Sequence, residues 1–409
     1  MRIRAKPTDR QRNVFVGQPR FNVKSVRKTP LRRVYLSNDV ISLLADLVKI
    51  PSVCGQEGTI AGFVAEWLKS NGLPFEILEV KPGRPDVICR VKGERDGPRL
   101  MLNAHMDTVA AGTGWSHDPF GAEIEAGKMY GRGTVDMKSG LAAMLWAVSE
   151  CKAEGLPRKG EITLAAVVDE ESYDLGTYAL VKNGWTDGLT FAMISEATDL
   201  NVVTAHRGRA VFDVTVHGKA AHSMWPDHGE SAIAKAAILI NALPSLRSPA
   251  HPLMGNSTVN VLRVDGGQEE VMLVADRCRM VIDRCLVPGH NSEDALDDLK
   301  ALIQKLGLNA EARFITRETP FCDPFEISGE HAAVGSVTEV ASRVLGKKPS
   351  LGFHPGPCDS CILVNQGKVP TLEFGPSGGR LHESDEFVDI ESVKTTTRFY
   401  HEVIRTLLS

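Results

Sequence analysis

The sequence predicts an α/β protein: a larger α/β domain on a mixed, mostly parallel sheet, interrupted by a smaller α+β domain. Three observations predict it. Short apolar runs alternate with amphipathic helical stretches up to about residue 207. Near residue 208 the pattern changes to half-buried, period-two alternation, and after about residue 325 the longer rhythm resumes. A chain of 409 residues, 43% hydrophobic and 24% charged, is globular in composition and long enough for more than one domain. A net charge of −4 leaves no electrostatic footprint for nucleic acid or an anionic membrane. No apolar run approaches the ~20 residues of a membrane-spanning helix.

Residues 1–33 carry eleven Lys or Arg and one acid, Asp9, with prolines at 7, 19 and 30. No helical or strand period runs through them. Residues 1–37 are therefore expected to be a solvated basic tail rather than a transit peptide, which would need an amphipathic helix. The first helix places Val40, Leu43, Leu44, Leu47 and Val48 on one face, and the second does the same with Ile60, Phe63, Val64, Trp67 and Leu68. Gly72 stands where the second helix should be capped. Strand-like runs follow at Phe75–Val80, Asp86–Val91, Arg99–Ala104, Glu161–Val168 and Thr190–Ser195, with helices near 138–153 and 174–183. Several of these runs are almost continuously apolar, as strands covered by helices on both faces are.

In the middle block Phe212, Val214 and Val216 alternate as a strand, and a helix follows at about 229–242. Strands at about 256–265 and 273–286 flank the Gly266–Gly267 turn, and a helix at about 291–306 and a strand at about 309–316 complete the block. The order β-α-β-β-α-β is ferredoxin-like. The expected domains are 38–207 with 325–409, and 208–324 as the insertion. The eight cysteines are scattered. Free thiols in a reducing, cytoplasmic setting are the expectation. Cys358 and Cys361 form a CxxC pair with no second ligand pair nearby, which reads as structural.

Acids and histidines sit just past strand C-termini. His105 and Asp107 follow one strand, Glu170 and Glu171 another, and Glu196 a third, while Asp136 lies in a glycine-punctuated turn. In open α/β sheets ligands bind outside the carboxyl ends of the strands, so these loops should converge. Each residue also has a plain explanation alone: a loop histidine, a solvated Asp-Glu-Glu, an aspartate capping the next helix. Their joint placement favours a site. Imidazole and carboxylate donors suit zinc, cobalt or manganese. The carboxylates exceed what one tetrahedral zinc takes and fit two divalent ions sharing one of them. Glu170 is then left uncoordinated, as a general base must be.

The segments Leu102-Asn-Ala-His-Met-Asp-Thr-Val109, Tyr130-Gly-Arg-Gly-Thr-Val-Asp-Met-Lys-Ser-Gly140, Val168-Asp-Glu-Glu171 and Ser195-Glu196 occur in order. Together they resemble the dinuclear zinc metallopeptidase family. That family includes acetylornithine deacetylase, succinyl-diaminopimelate desuccinylase, glutamate carboxypeptidase and aminoacylase. The resemblance spans roughly residues 38 to 409. It adds His382, in Phe374-Gly-Pro-Ser-Gly-Gly-Arg-Leu-His382-Glu-Ser-Asp-Glu386, which residue reasoning alone does not select. It implies that Asp136 bridges two metal ions, that His105 and Glu196 complete one site, and that Glu171 and His382 complete the other. It implies that Asp107 orients the His105 ring and that Glu170 moves a proton from water to the leaving nitrogen. It also implies that the inserted domain is a lid that dimerises, with His222 of Val216-His-Gly-Lys-Ala-Ala-His222 stabilising the oxyanion in the partner's site.

Two positions depart from that family. The stretch Glu270-Val-Met-Leu-Val-Ala275 lacks the usual Asn and Pro, and Cys285 stands where an arginine that helps hold the substrate carboxylate is usual. Arg284 is one residue earlier, on the other face of a strand. Arg207, Arg209 and Arg380 are alternative anion clamps beside it. The expected function is hydrolysis of the amide of an N-acyl amino acid. A metallo-exopeptidase acting on short peptides is the alternative, and a non-catalytic small-molecule binder a more distant one. The expected partners are that small substrate and a second copy of the chain, with no nucleic acid and no membrane.

Overall fold

A computed structural model describes residues 39–246, 250–268 and 272–409. The expected basic tail and part of the 270–275 stretch lie outside them. Helix α1 (Val40–Val48) is capped by Asp39, whose Oδ1 accepts from the Ser42 N–H at 2.7 Å, and it buries the five residues that share its apolar face. Helix α2 (Gly58–Ser70) ends two residues before Gly72, which takes the left-handed φ of +67° that a helix stop requires. Strands β1 (Phe75–Lys81), β2 (Arg84–Lys92) and β3 (Arg95–His105) follow. A small hairpin, β4 (Glu123–Glu125) and β5 (Lys128–Tyr130), lies outside the main sheet. Then come α3 (Ser139–Ala153), β6 (Lys159–Val167), α4 (Leu175–Lys182), β7 (Phe191–Ile194) and β8 (Val202–His206).

The next block is β9 (Gly208–His217), α5 (Ala232–Ala242), β10 (Thr258–Gly266), β11 (Arg277–Leu286), α6 (Ser292–Lys305) and β12 (Ala310–Phe314), the β-α-β-β-α-β order expected. It forms its own antiparallel sheet, β10-β11-β9-β12, with its own core around Phe212, Val214, Met280, Ile282 and Leu299. The chain then returns through β13 (Phe325–Glu326), α7 (Ala332–Leu345), β14 (Leu351–His354), α8 (Asp359–Asn365), β15 (Thr371–Glu373), β16 (Gly378–Gly379), β17 (Phe387–Asp389) and α9 (Ile390–Leu408).

The main sheet runs β1-β2-β6-β3-β7-β15-β8-β13, with β14 also on β8. Its centre, β6-β3-β7-β15, is parallel, and antiparallel pairs flank it on both sides. The parallel centre positions the site: β3, β6 and β7 all end at one edge, so the loops carrying His105, Glu170–Glu171 and Glu196 emerge together. Strands β6 and β7 are buried along nearly their whole length, which explains their unbroken apolar runs. All eight cysteines are free, and among the described residues no helix is long and apolar enough to cross a membrane.

Candidate metal centre

His105 ends β3, fully buried. Its Nε2 lies 3.2 Å from Asp136 Oδ1 and 3.5 Å from Glu196 Oε1. On the other side of Asp136, Oδ2 lies 3.0 Å from His382 Nε2, and that same nitrogen is 3.1 Å from Glu171 Oε2. The five expected ligands therefore meet, and the two oxygens of Asp136 face different histidine–glutamate pairs. His382 reaches in from an exposed loop past β15, with φ at +61°.

The turn that carries Asp136 is held by a buried glutamate. Glu386 Oε2 pairs with Arg132 Nη1 at 2.6 Å and accepts from the Gly133 N–H at 3.0 Å, while Oε1 accepts from the N–H groups of Val135 at 3.0 Å and Asp136 at 3.3 Å. Gly133 is required here: φ is +80°, and a Cβ would stand 2.6 Å from Thr108 Cγ2. Asp136 does not cap α3, since its carboxylate is spent on the two histidines.

Asp107 corrects one expectation. Its backbone carbonyl, at 2.9 Å, is the nearer partner of His105 Nδ1, and its carboxylate is 3.7 Å away. The carboxylate instead accepts from the N–H groups of Glu170 at 3.2 Å and Glu171 at 3.1 Å. Asp107 thus sets the turn after β6 as well as the imidazole. Glu170 and Glu171 are not solvated, with side chains only 11% and 7% exposed.

Crowding governs the electrostatics. Burial, with neighbouring carboxylates, pushes Glu170 well above the usual range and Glu196 up to about 7. Asp136 is also desolvated, but the two histidines hold it below its ordinary value. Hydrogen bonds to Asp136 and Glu171 raise His382 to about 10. The protein alone balances these charges only by displacing protonation states, and cations would relieve that directly. The donor set fits: imidazole and carboxylate donors about 2.1 Å from one ion lie roughly 3 to 3.4 Å apart, as they do here.

Asp136, Glu171, Glu196 and His382 line a cleft of about 450 Å³ whose walls also include Arg209, Arg317 and the loop from His354 to Cys358. The other predicted residues lie elsewhere. His222 is exposed on the inserted block, where its Nδ1 accepts from the Met224 N–H at 3.1 Å. Arg207 donates to the Met254 carbonyl, and Arg380 pairs with Asp385 at 3.4 Å. Arg284 is no substrate contact. On β11 it shares the inward parity of Met280 and Ile282, is fully buried, and donates to the carbonyls of Ala295 at 3.1 Å and Leu246 at 2.6 Å. Cys358 is buried against Glu373 Oε1 at 3.0 Å, beside His206. Sequence reasoning missed Glu386 and Arg317. Glu386 stood in the quoted His382 segment without a role, and nothing around Arg317 set it apart.

Residues 101–406 match the model of peptidase family M20/M25/M40. The chain belongs to this family. An M20 chain of this kind is a metal-dependent hydrolase of amide bonds. It is 26% identical over 407 residues to a probable succinyl-diaminopimelate desuccinylase of Staphylococcus epidermidis, covering 92% of this chain and 99% of that one. Among solved structures it resembles a tripeptidase of Staphylococcus aureus, with a TM-score of 0.74 at 24% identity over 90% of this chain and 98% of the other. It also resembles a Bacillus subtilis M20 peptidase described as dinuclear and metal-binding, with a TM-score of 0.68 at 18% identity over 90% and 97% of the two chains.

Proposed function

We propose that this chain hydrolyses the amide of an N-acyl amino acid, as a deacetylase or desuccinylase does, with two divalent ions, zinc foremost and cobalt or manganese as alternatives. The observation that carries the reading is the division of Asp136, one oxygen toward His105 and Glu196 and the other toward His382 and Glu171. When bound, the ions polarise the scissile carbonyl and acidify water. Asp136, Glu171 and Glu196, with His105 and His382, would hold the two ions, and three carboxylates would leave the site with an excess of positive charge.

Glu170 carries the proton between steps. Its carboxylate lies 3.8 Å from His105 Nε2, in reach of the ligand set but outside the five donors. As the carboxylate it takes a proton from water, and burial favours the resulting acid, which delivers that proton to the leaving nitrogen. Asp107 keeps Glu170 and Glu171 in register through their amides. His222 is proposed to serve the site of a second copy. The inserted sheet supports such pairing: β10 is an edge strand with Leu262 and Val264 exposed, and Met224 and Trp225 are exposed beside His222. The free thiols support a reducing compartment such as the cytoplasm.

A metallo-exopeptidase is the second reading, favoured by the resemblance to a tripeptidase. A panel of N-acetyl and N-succinyl amino acids and of dipeptides and tripeptides, with zinc, cobalt or manganese added, separates the two. Release of acetate or succinate supports the first. Turnover confined to peptides replaces it with the second.

A further inference from the structure

We propose that His206, Cys358 and Glu373 form a metal site with ligands of its own, which takes one divalent ion such as zinc or cobalt and ties β8, α8 and β15 together. The sequence leaves Cys358 and Cys361 without a second ligand pair; folding brings Cys358 a histidine and a glutamate instead. His206 ends β8, two residues before β9 opens the inserted block, Cys358 caps α8, and Glu373 ends β15. All three are buried, each at 1% exposure. Cys358 also lines the cleft, which gives an ion its way in.

The donors converge on one point. Glu373 Oε1 lies 2.6 Å from His206 Nε2 and 3.0 Å from Cys358 Sγ. The Ser360 hydroxyl stands among them, 3.0 Å from that nitrogen, 3.0 Å from the sulfur and 2.9 Å from Oε1. Oε1 thus has three polar neighbours, while Oε2 of the same buried carboxylate has no partner. The imidazole is set as ligating histidines are. Its Nδ1 donates to the Gly356 carbonyl at 3.2 Å, which turns Nε2 toward the carboxylate, and Phe325 and His354 stack on the ring with centroids 4.9 and 5.0 Å away. Imidazole, thiolate and carboxylate are a zinc donor set, with Ser360 Oγ or a water at the fourth corner. The charges close: a thiolate and a carboxylate cancel one divalent ion, so the buried site is neutral. Binding expels the thiol proton and the imidazole proton that faces Glu373. The pair now at 2.6 Å then opens to about 3 Å, as donors about 2.1 Å from one ion must.

The test is stepwise loading of the full chain with cobalt, read by absorption and by metal bound per chain. Wild type should develop a sulfur-to-cobalt charge-transfer band in the near ultraviolet. The centre around Asp136 has no sulfur among its five donors and cannot produce one. Cys358→Ser should lose the band and bind one cobalt fewer per chain than wild type, and His206→Gln should need more cobalt to reach it. Cys54→Ser and Cys361→Ser, whose thiols lie outside this donor set, should keep it. No band in wild type, a band that survives in Cys358→Ser, or a titration unchanged in His206→Gln overturns the site. If Cys358→Ser does not fold, the wild-type spectrum and His206→Gln decide. Asp136→Asn, which damages the paired centre, should leave the band intact, so the hydrolase reading can fail while this one stands; loss of the band there would overturn a site with its own ligands.

Discussion

Glu386→Ala should unsettle the turn that aims Asp136. Glu386 and Arg132 are both buried, at 0% and 1% exposure, so the substitution strands a guanidinium rather than releasing it to water. Breaking a buried pair from one side costs about 3 to 5 kcal/mol. The N–H groups of Gly133, Val135 and Asp136 also lose their acceptor, at roughly 1 kcal/mol each where water cannot replace it. The remaining bonds of Arg132, to the carbonyls of Glu383 at 3.1 Å and Ala111 at 3.4 Å, carry no charge and recover little. A net loss of about 6 to 8 kcal/mol is a large share of the roughly 5 to 15 kcal/mol that holds a folded protein together. Glu386→Gln retains a carbonyl acceptor and the shape, and should cost about half as much. Urea unfolding of the two variants beside wild type reads both numbers, and metal content of the folded fraction should fall in the Ala variant. A Glu386→Ala protein within about 1 kcal/mol of wild type, with unaltered metal content, would refute the reasoning.

Glu170→Ala should lower kcat by about 100- to 10,000-fold while the bound metal per chain is unchanged; wild-type turnover would remove its proton-transfer role. His382→Ala should leave less metal after dialysis than wild type, because it removes a donor from the pair with Glu171; equal metal content counts against its ligand role. His222→Ala should slow turnover and spare metal binding, and mixing it with an inactive Glu170→Ala chain should show whether activity depends on which copy carries the histidine. Unchanged rates in His222→Ala would end the oxyanion assignment.

Residues tied to long, regular strands were the legible part of this site. His105, Glu170, Glu171 and Glu196 follow apolar runs that are readable because both faces of the sheet are covered, and parallel strands share one edge. His382 came only through family resemblance. It lies several residues beyond the three-residue strand β15, on a loop with no period to read. The hairpin β4–β5 and the strands β8 and β13 to β17 escaped notice for the same reason, since two to five residues carry too little alternation. For Arg284 the sequence showed strand parity but not which face the helices cover. Arg317 stands in an irregular return segment, and only folding brings it to the cleft, against Asp174 of the loop after Glu171. The double task of Asp107 depends on a backbone carbonyl, which carries no sequence signal.

The shared aspartate is tested most directly by anomalous diffraction from crystals of the protein grown with zinc or cobalt, recorded at that metal's absorption edge. The expected map has two peaks flanking the Asp136 carboxylate, one beside His105 and Glu196 and the other beside His382 and Glu171. A single peak there, or occupancy only at another donor cluster such as His206, Cys358 and Glu373, would contradict it.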